Sequence, residues 1–110
     1  MPRLVLLELP YESKTKEELE KYIEYAESCI DDCFERGESP FNYHLFHPPE
    51  IILRNNESKE RKLRIEADLA WMELADAIVV YTDLGITKGM KRGIERAKEI
   101  DKIIEHRQLY

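Results

Sequence analysis

Residues 76–93 read Asp-Ala-Ile-Val-Val-Tyr-Thr-Asp-Leu-Gly-Ile-Thr-Lys-Gly-Met-Lys-Arg-Gly, and the fold turns on this stretch. Asp76 to Tyr81 is an unalternating apolar run with polar flanks, the pattern of a strand covered on both faces. Thr82 to Thr87 reads as a loop, and Thr87 stands where a helix N-cap belongs. A helix is expected from Lys88 to about Glu99, and Lys102 to His106 then has the character of a further strand. A strand feeding a helix that returns to another strand is the unit from which parallel sheets are built.

The same alternation extends toward the N-terminus. Arg3 to Leu9 is a second short aliphatic run, ended by Pro10. Ser13 or Thr15 can cap the next helix, with Glu17 and Glu18 in the first turn, where the helix dipole favours them. Apolar residues recur at Leu19, Tyr22, Ile23, Ala26, Cys29, Ile30, Cys33 and Phe34, and Gly37 suits the position just past the helix end. Pro40 opens an extended segment, Phe41 to Phe46, which His47-Pro48-Pro49 breaks, and Arg54 to Glu57 reads as loop. A second helix is expected over Ser58 to Leu74. Its stripe of Leu63, Ala67, Ala70, Trp71 and Leu74 is widened by Ile65, Leu69 and Met72, so one face is expected on the sheet and another on a partner subunit. The order predicts an α/β chain: a Rossmann-like three-layer sandwich with a four- to five-stranded parallel sheet flanked by helices, one domain over residues 1–110.

Composition narrows the class of function. A chain of 110 residues, 43% hydrophobic and 36% charged, supports one modest core under a heavily solvated surface. Its net charge of -6 argues against nonspecific binding to nucleic acid or to anionic membranes. The aliphatic run at the N-terminus is too short for a signal peptide, and no segment approaches a membrane span, so a cytoplasmic protein is expected. Cys29 and Cys33 are helical i, i+4 neighbours, which rarely have disulfide geometry, and read as buried thiols in a reducing compartment. Zinc would need two more ligands, with only His44 and His47 on offer, so neither a metal nor a cofactor is expected.

In an open parallel sheet, ligands collect outside the carboxyl ends of the strands. Three loops meet that description: Pro10-Tyr11-Glu12, the region from His44 to His47, and Thr82 to Gly89. In the third, Gly85 and Gly89 allow positive φ or close backbone approach, and the free amides of a helix start attract anions. Thr87 adds a hydroxyl. Lys88, Lys91 and Arg92 crowd the first turn, where cations oppose the dipole by a few tenths to about 1 kcal/mol each. Two readings stay open: an anion site, or a plain N-cap with the basic residues in solvent. Asp83, at the carboxyl end of its strand, suits a ribose hydroxyl or acid–base work, while Asp76 suits a local cap. Asp68 faces either a pocket or solvent. Tyr11 either stacks on a base or packs over its loop, and His44 more often serves structure than chemistry.

These residues, in this order, resemble the nucleoside 2-deoxyribosyltransferase-like superfamily, nearly end to end. Pro10-Tyr11 matches its Gly-Pro-Tyr, with Leu9 in place of the glycine. Gly37 and Pro40 followed by His44 match its Gly-x-x-Pro and histidine, and Ala75 to Val80 its aspartate-led strand. Thr87-Lys88-Gly89-Met90 is similar to its Ser-x-Gly-Met phosphate or sugar loop. The resemblance implies a nucleoside-like ligand touching Pro10, Tyr11, His44, Asp83, Gly85, Thr87, Lys88, Gly89 and Met90, and an oligomer. It also implies cleavage of an N-glycosidic bond by a glutamate four residues before an alanine of the last helix.

Counting back four from Ala97 gives Gly93, so that carboxylate is missing. Glu95 lies roughly 200° further round the helix. The expectation is therefore a binder of a nucleotide, nucleoside phosphate or ADP-ribose-type signal, without turnover. A phage protein sequestering such a signal in the host cytoplasm would suit that description. The alternatives are an N-glycosidase or deoxyribosyltransferase using Glu95, Asp83 or Asp68, and an oligomeric interaction module with a vestigial pocket.

Overall fold

A computed structural model describes residues 2–11, 13–42 and 58–110 of the chain. Among these the elements are β1 (Leu4–Glu8), α1 (Lys16–Glu35), β2 (Ser39–Phe41), α2 (Ser58–Leu74), β3 (Ala77–Tyr81), α3 (Lys88–Glu99) and β4 (Ile103–Arg107). The four strands form one sheet in the order β2-β1-β3-β4, and every pairing is parallel. Pro40 lies in β2, an edge strand, where a missing N–H is tolerated.

Side-chain alternation along the strands sorts the core into two layers. Val5, Leu7, Leu9, Ala77, Val79 and Tyr81 meet Tyr25, Ala26, Cys29 and Cys33 of α1. Leu6 and Ile78 turn the other way, to Met72 and Ala75 at the end of α2 and Ala97 of α3. The result is the three-layer α/β sandwich that the sequence predicts, with four strands. Glu8 has the same parity as Leu6, so β1 delivers its carboxyl to the α2/α3 side.

The helix ends follow local chemistry. Thr15 Oγ1 accepts from the Glu18 amide at 3.1 Å, and the Glu18 carboxylate accepts from the Lys14 amide at 3.0 Å. Gly37, at φ 76°, ends α1. The Gly37 amide donates to the Phe34 carbonyl and the Glu38 amide to the Cys33 carbonyl, a Schellman closure. Lys102 Nζ donates to the carbonyls of Glu73 and Ala75, satisfying the end of α2.

Two readings of the sequence change. The expected extended segment from Phe41 is β2 over Ser39–Phe41, and its remainder lies outside the described residues. In α2 the core face belongs to Leu69 and Met72, while Leu63, Trp71 and Leu74 are exposed. The face of α2 is fixed by its short exit into β3, which sets Met72 and Ala75 over the sheet. Trp71 instead stacks on Phe41, with ring centroids 4.5 Å apart. Among the described residues, no helix is long and apolar enough to cross a membrane.

Charge locks α1 to the far edge of the sheet. Arg107 makes a two-pronged pair with Glu38, both bonds 2.7 Å, and the two side chains are only 7% and 8% exposed. Arg3 bridges Glu38 and Glu105, each at 2.8 Å. The Arg107 guanidinium, then Arg3, hold the Glu38 carboxyl down at about 2. The Tyr81 hydroxyl donates to Asp32 at 2.7 Å and lies 3.3 Å from the Cys33 thiol. Cys29 and Cys33 are free and buried, and burial pushes the Cys29 thiol up to about 12.

Candidate functional site

From β1 the chain passes through α1 to β2 on one side, then crosses back to β3 on the other. The carboxyl ends of β1 and β3 therefore flank the switch point where parallel sheets open a crevice. A cleft lies there, lined by Glu8, Leu9 and Tyr11 after β1, Asn42 after β2, Asp68 of α2, and Gly89 and Arg96 of α3. Its enclosed space is about 20 Å³, room for a single water.

Glu8 is the centre of this cleft. Among the described residues, no hydrogen bond or ion pair reaches its carboxyl. Burial, reinforced by the negative charge of Asp68 and only partly offset by Arg96, pushes that carboxyl up to about 8. At neutral pH Glu8 therefore holds its proton. The Nε of Arg96 is also buried without a hydrogen-bond partner among the described residues. Asn42, itself buried, donates from Nδ2 to the Leu7 carbonyl at 2.9 Å and ties the end of β2 to β1 beside the cleft.

Gly93 makes the arrangement possible. A Cβ built there would overlap the Glu8 carboxyl carbon and both of its oxygens. Glycine inside a helix costs about 1 kcal/mol relative to alanine, and here it lets a strand side chain lie against the helix. Gly89, Gly93 and Arg96 follow i, i+4, i+7 spacing, so one face of α3 looks onto Glu8. The Glu8 carboxyl of β1 thus lies in the space over Gly93 of α3.

Of the residues expected at a site, the cleft brings together Tyr11, Asp68 and Gly89. Pro10 is buried next to Tyr11. Thr87 caps α3: its Oγ1 accepts from the Met90 amide at 3.2 Å, while the Thr87 amide donates to Met90 Sδ at 3.5 Å. Met90 is buried in the core and Lys88 is exposed at the helix start. Gly85, at φ 89°, closes a turn by donating its amide to the Thr82 carbonyl at 2.9 Å.

Two catalytic candidates stand away from the cleft lining. Asp83 accepts from the Tyr25 hydroxyl at 2.6 Å and from the Leu109 and Tyr110 amides at 3.0 and 3.2 Å. Burial would raise the Asp83 carboxyl, but these donors win and hold it below the usual range. Glu95 is exposed on α3. Asp76 accepts from the Leu4 amide at 2.8 Å and so pins the start of β1. His44 lies outside the described residues.

Sequence reasoning missed Glu8, Asn42 and Arg96. For Glu8 a signal existed: it is the one charged residue in the aliphatic run from Leu4 to Leu9, at the strand's carboxyl end. A search among curated proteins returns no match. A family model described as a domain of unknown function, DUF7768, matches residues 3–107, and the chain belongs to that family.

Proposed function

We propose that the protein binds a nucleotide, a nucleoside phosphate or an ADP-ribose-type molecule, with the sugar over the mouth of the Glu8 cleft and the phosphate at the start of α3. One observation carries the reading. Polar groups from β1, α2, α3 and the residue after β2 converge on a single cleft at the β1/β3 switch point, and the buried Arg96 Nε has no hydrogen-bond partner there among the described residues. Gly89 lines that cleft from the first turn of α3, where the helix amides and the exposed Lys88 and Lys91 favour an anion. The resemblance to nucleoside 2-deoxyribosyltransferase-like proteins supports a nucleoside as the remainder of the ligand.

Thermal denaturation with a panel of nucleotides tests this. Ligand at about 100 times Kd should add about 2.7 kcal/mol of stability, and Gly89→Asp should abolish the shift by placing a carboxylate against the anion. An unchanged melting curve across the panel would remove the proposal. A second reading, cleavage of the ligand, gains from one observation: the carboxyl of Glu8 occupies the space over Gly93.

A further inference from the structure

We propose that the outer side of α2 is a docking surface for a second copy of this chain, the two α2 helices lying antiparallel about a two-fold axis. Leu63 is 58%, Trp71 46% and Leu74 67% exposed, and Ala70 is exposed beside them. Leu63, Ala67, Ala70 and Leu74 follow i, i+4, i+7, i+11 spacing and so form one seam along the helix. Met72 lies half a turn round from that seam and is fully buried against the sheet. The sheet therefore takes one side of α2 and leaves an apolar row on the other. Scattered exposed hydrophobics are ordinary on a protein surface, whereas an aligned row marks a contact. The two alanines in the middle of the seam let a second helix approach closely.

Charge decides the occupant. Residues 58–65 hold Lys59, Arg61, Lys62 and Arg64 against the single acid Glu60. Residues 66–74 hold Glu66, Asp68 and Glu73 and no base. Asp68 lines the cleft, while Glu66 and Glu73 are exposed. This order runs against the helix dipole, which favours acids at the N-terminus and bases at the C-terminus. In a second α2 laid antiparallel, the basic half of each helix faces the acidic half of the other, and the same order becomes an attraction. A parallel copy would set like charge against like, and a partner of one charge sign would be repelled by one half of α2. A two-fold axis across the seam makes the surface complementary to itself, as a closed dimer requires.

One pair of residues reports the geometry. Lys62 stands five residues before Ala67 and Glu73 six after it, and both are exposed. Their separation is close to three helical turns, so they share one flank of the seam but lie about 16 Å apart along it, too far to pair within one helix. With the axis near Ala67, Lys62 of each copy meets Glu73 of the other.

The test uses the full chain in sedimentation equilibrium over a concentration series, where a reversible monomer–dimer equilibrium is expected. Leu63→Ser and Leu74→Ser should each raise the dimer dissociation constant by about 10-fold. Both side chains are exposed in the monomer, so far-ultraviolet circular dichroism of these variants should match the wild type. Lys62→Glu and Glu73→Lys should each weaken the dimer by about 3-fold or more, and the chain carrying both reversals should recover most of the wild-type affinity. A wild type that stays monomeric at its highest soluble concentration overturns the proposal. So does a dimer that folded Leu63→Ser and Leu74→Ser variants leave unchanged, or a double reversal that associates no more tightly than the single ones.

Discussion

Replacing Glu8 with glutamine should flatten the dependence of stability on pH. Folding raises the Glu8 carboxyl from the ordinary 4.5 to about 8. Between those values the native state holds a proton that the unfolded chain releases, so stability is fully present below about pH 4.5 and is lost as pH rises through 8. At about 1.4 kcal/mol per unit, the ceiling is about 5 kcal/mol. Glu8 is partly exposed, and solvent screening brings the expected loss to about 2–4 kcal/mol.

Urea denaturation at half-unit steps from pH 5 to 9 reads this directly. The wild-type midpoint should fall across that window, while Glu8→Gln should stay nearly level and be the more stable protein above pH 8. An identical slope in the two proteins would refute the reasoning, since the proton would then sit elsewhere. Glu38 gives a separate limb of opposite sign. Its folded value of about 2 lies below the ordinary one, so its contribution is present above pH 4.5 and is lost as pH falls toward 2.

Gly93→Ala should destabilise the wild type by about 1–3 kcal/mol, because the new methyl expels the Glu8 carboxyl. In a Glu8→Ala background the same change should stabilise by up to about 1 kcal/mol through helix propensity, and a cycle of the four proteins measures the difference. Glu38→Ala should cost about 2–4 kcal/mol in chemical denaturation, since it removes the two-pronged partner of the buried Arg107 guanidinium and leaves it only Glu105, at 2.9 Å. Asp83→Ala removes the acceptor of the Leu109 and Tyr110 amides. Hydrogen exchange at both should speed up, with a stability loss of about 1–3 kcal/mol.

The elements with strong local signals were legible in the sequence. The apolar run before Tyr81, the Thr87 cap, the Thr15 cap and the Gly37 stop each depend on residues a few positions apart, and each lies where expected. The carboxyl edge of the sheet, where parallel topology sends the search for a site, is also where the cleft opens. What escaped depends on long-range registration. Only the pairing of Glu8 with Val80, and the packing of α3 over β1, reveal that a side chain from position 8 reaches the space over position 93. Set beside the family it resembles, the sequence at Gly93 implies a missing carboxylate; set against β1, Gly93 is the room in which the Glu8 carboxyl lies. The face of α2 that meets the sheet is open in the sequence for the same reason, since its wide apolar surface gives no local preference for Leu69 over Leu63.

The stacking of Trp71 on Phe41 has a practical consequence. Trp71 is the single tryptophan of the chain, and it sits one helical turn from Asp68. The ring beneath it belongs to the last residue of β2, next to the buried Asn42. Indole emission therefore samples α2 and β2, two of the elements that frame the cleft, without any introduced label. Titration of a ligand into the cleft can be followed by that emission in real time, and a change in its wavelength would distinguish a shift of α2 against β2 from occupancy alone.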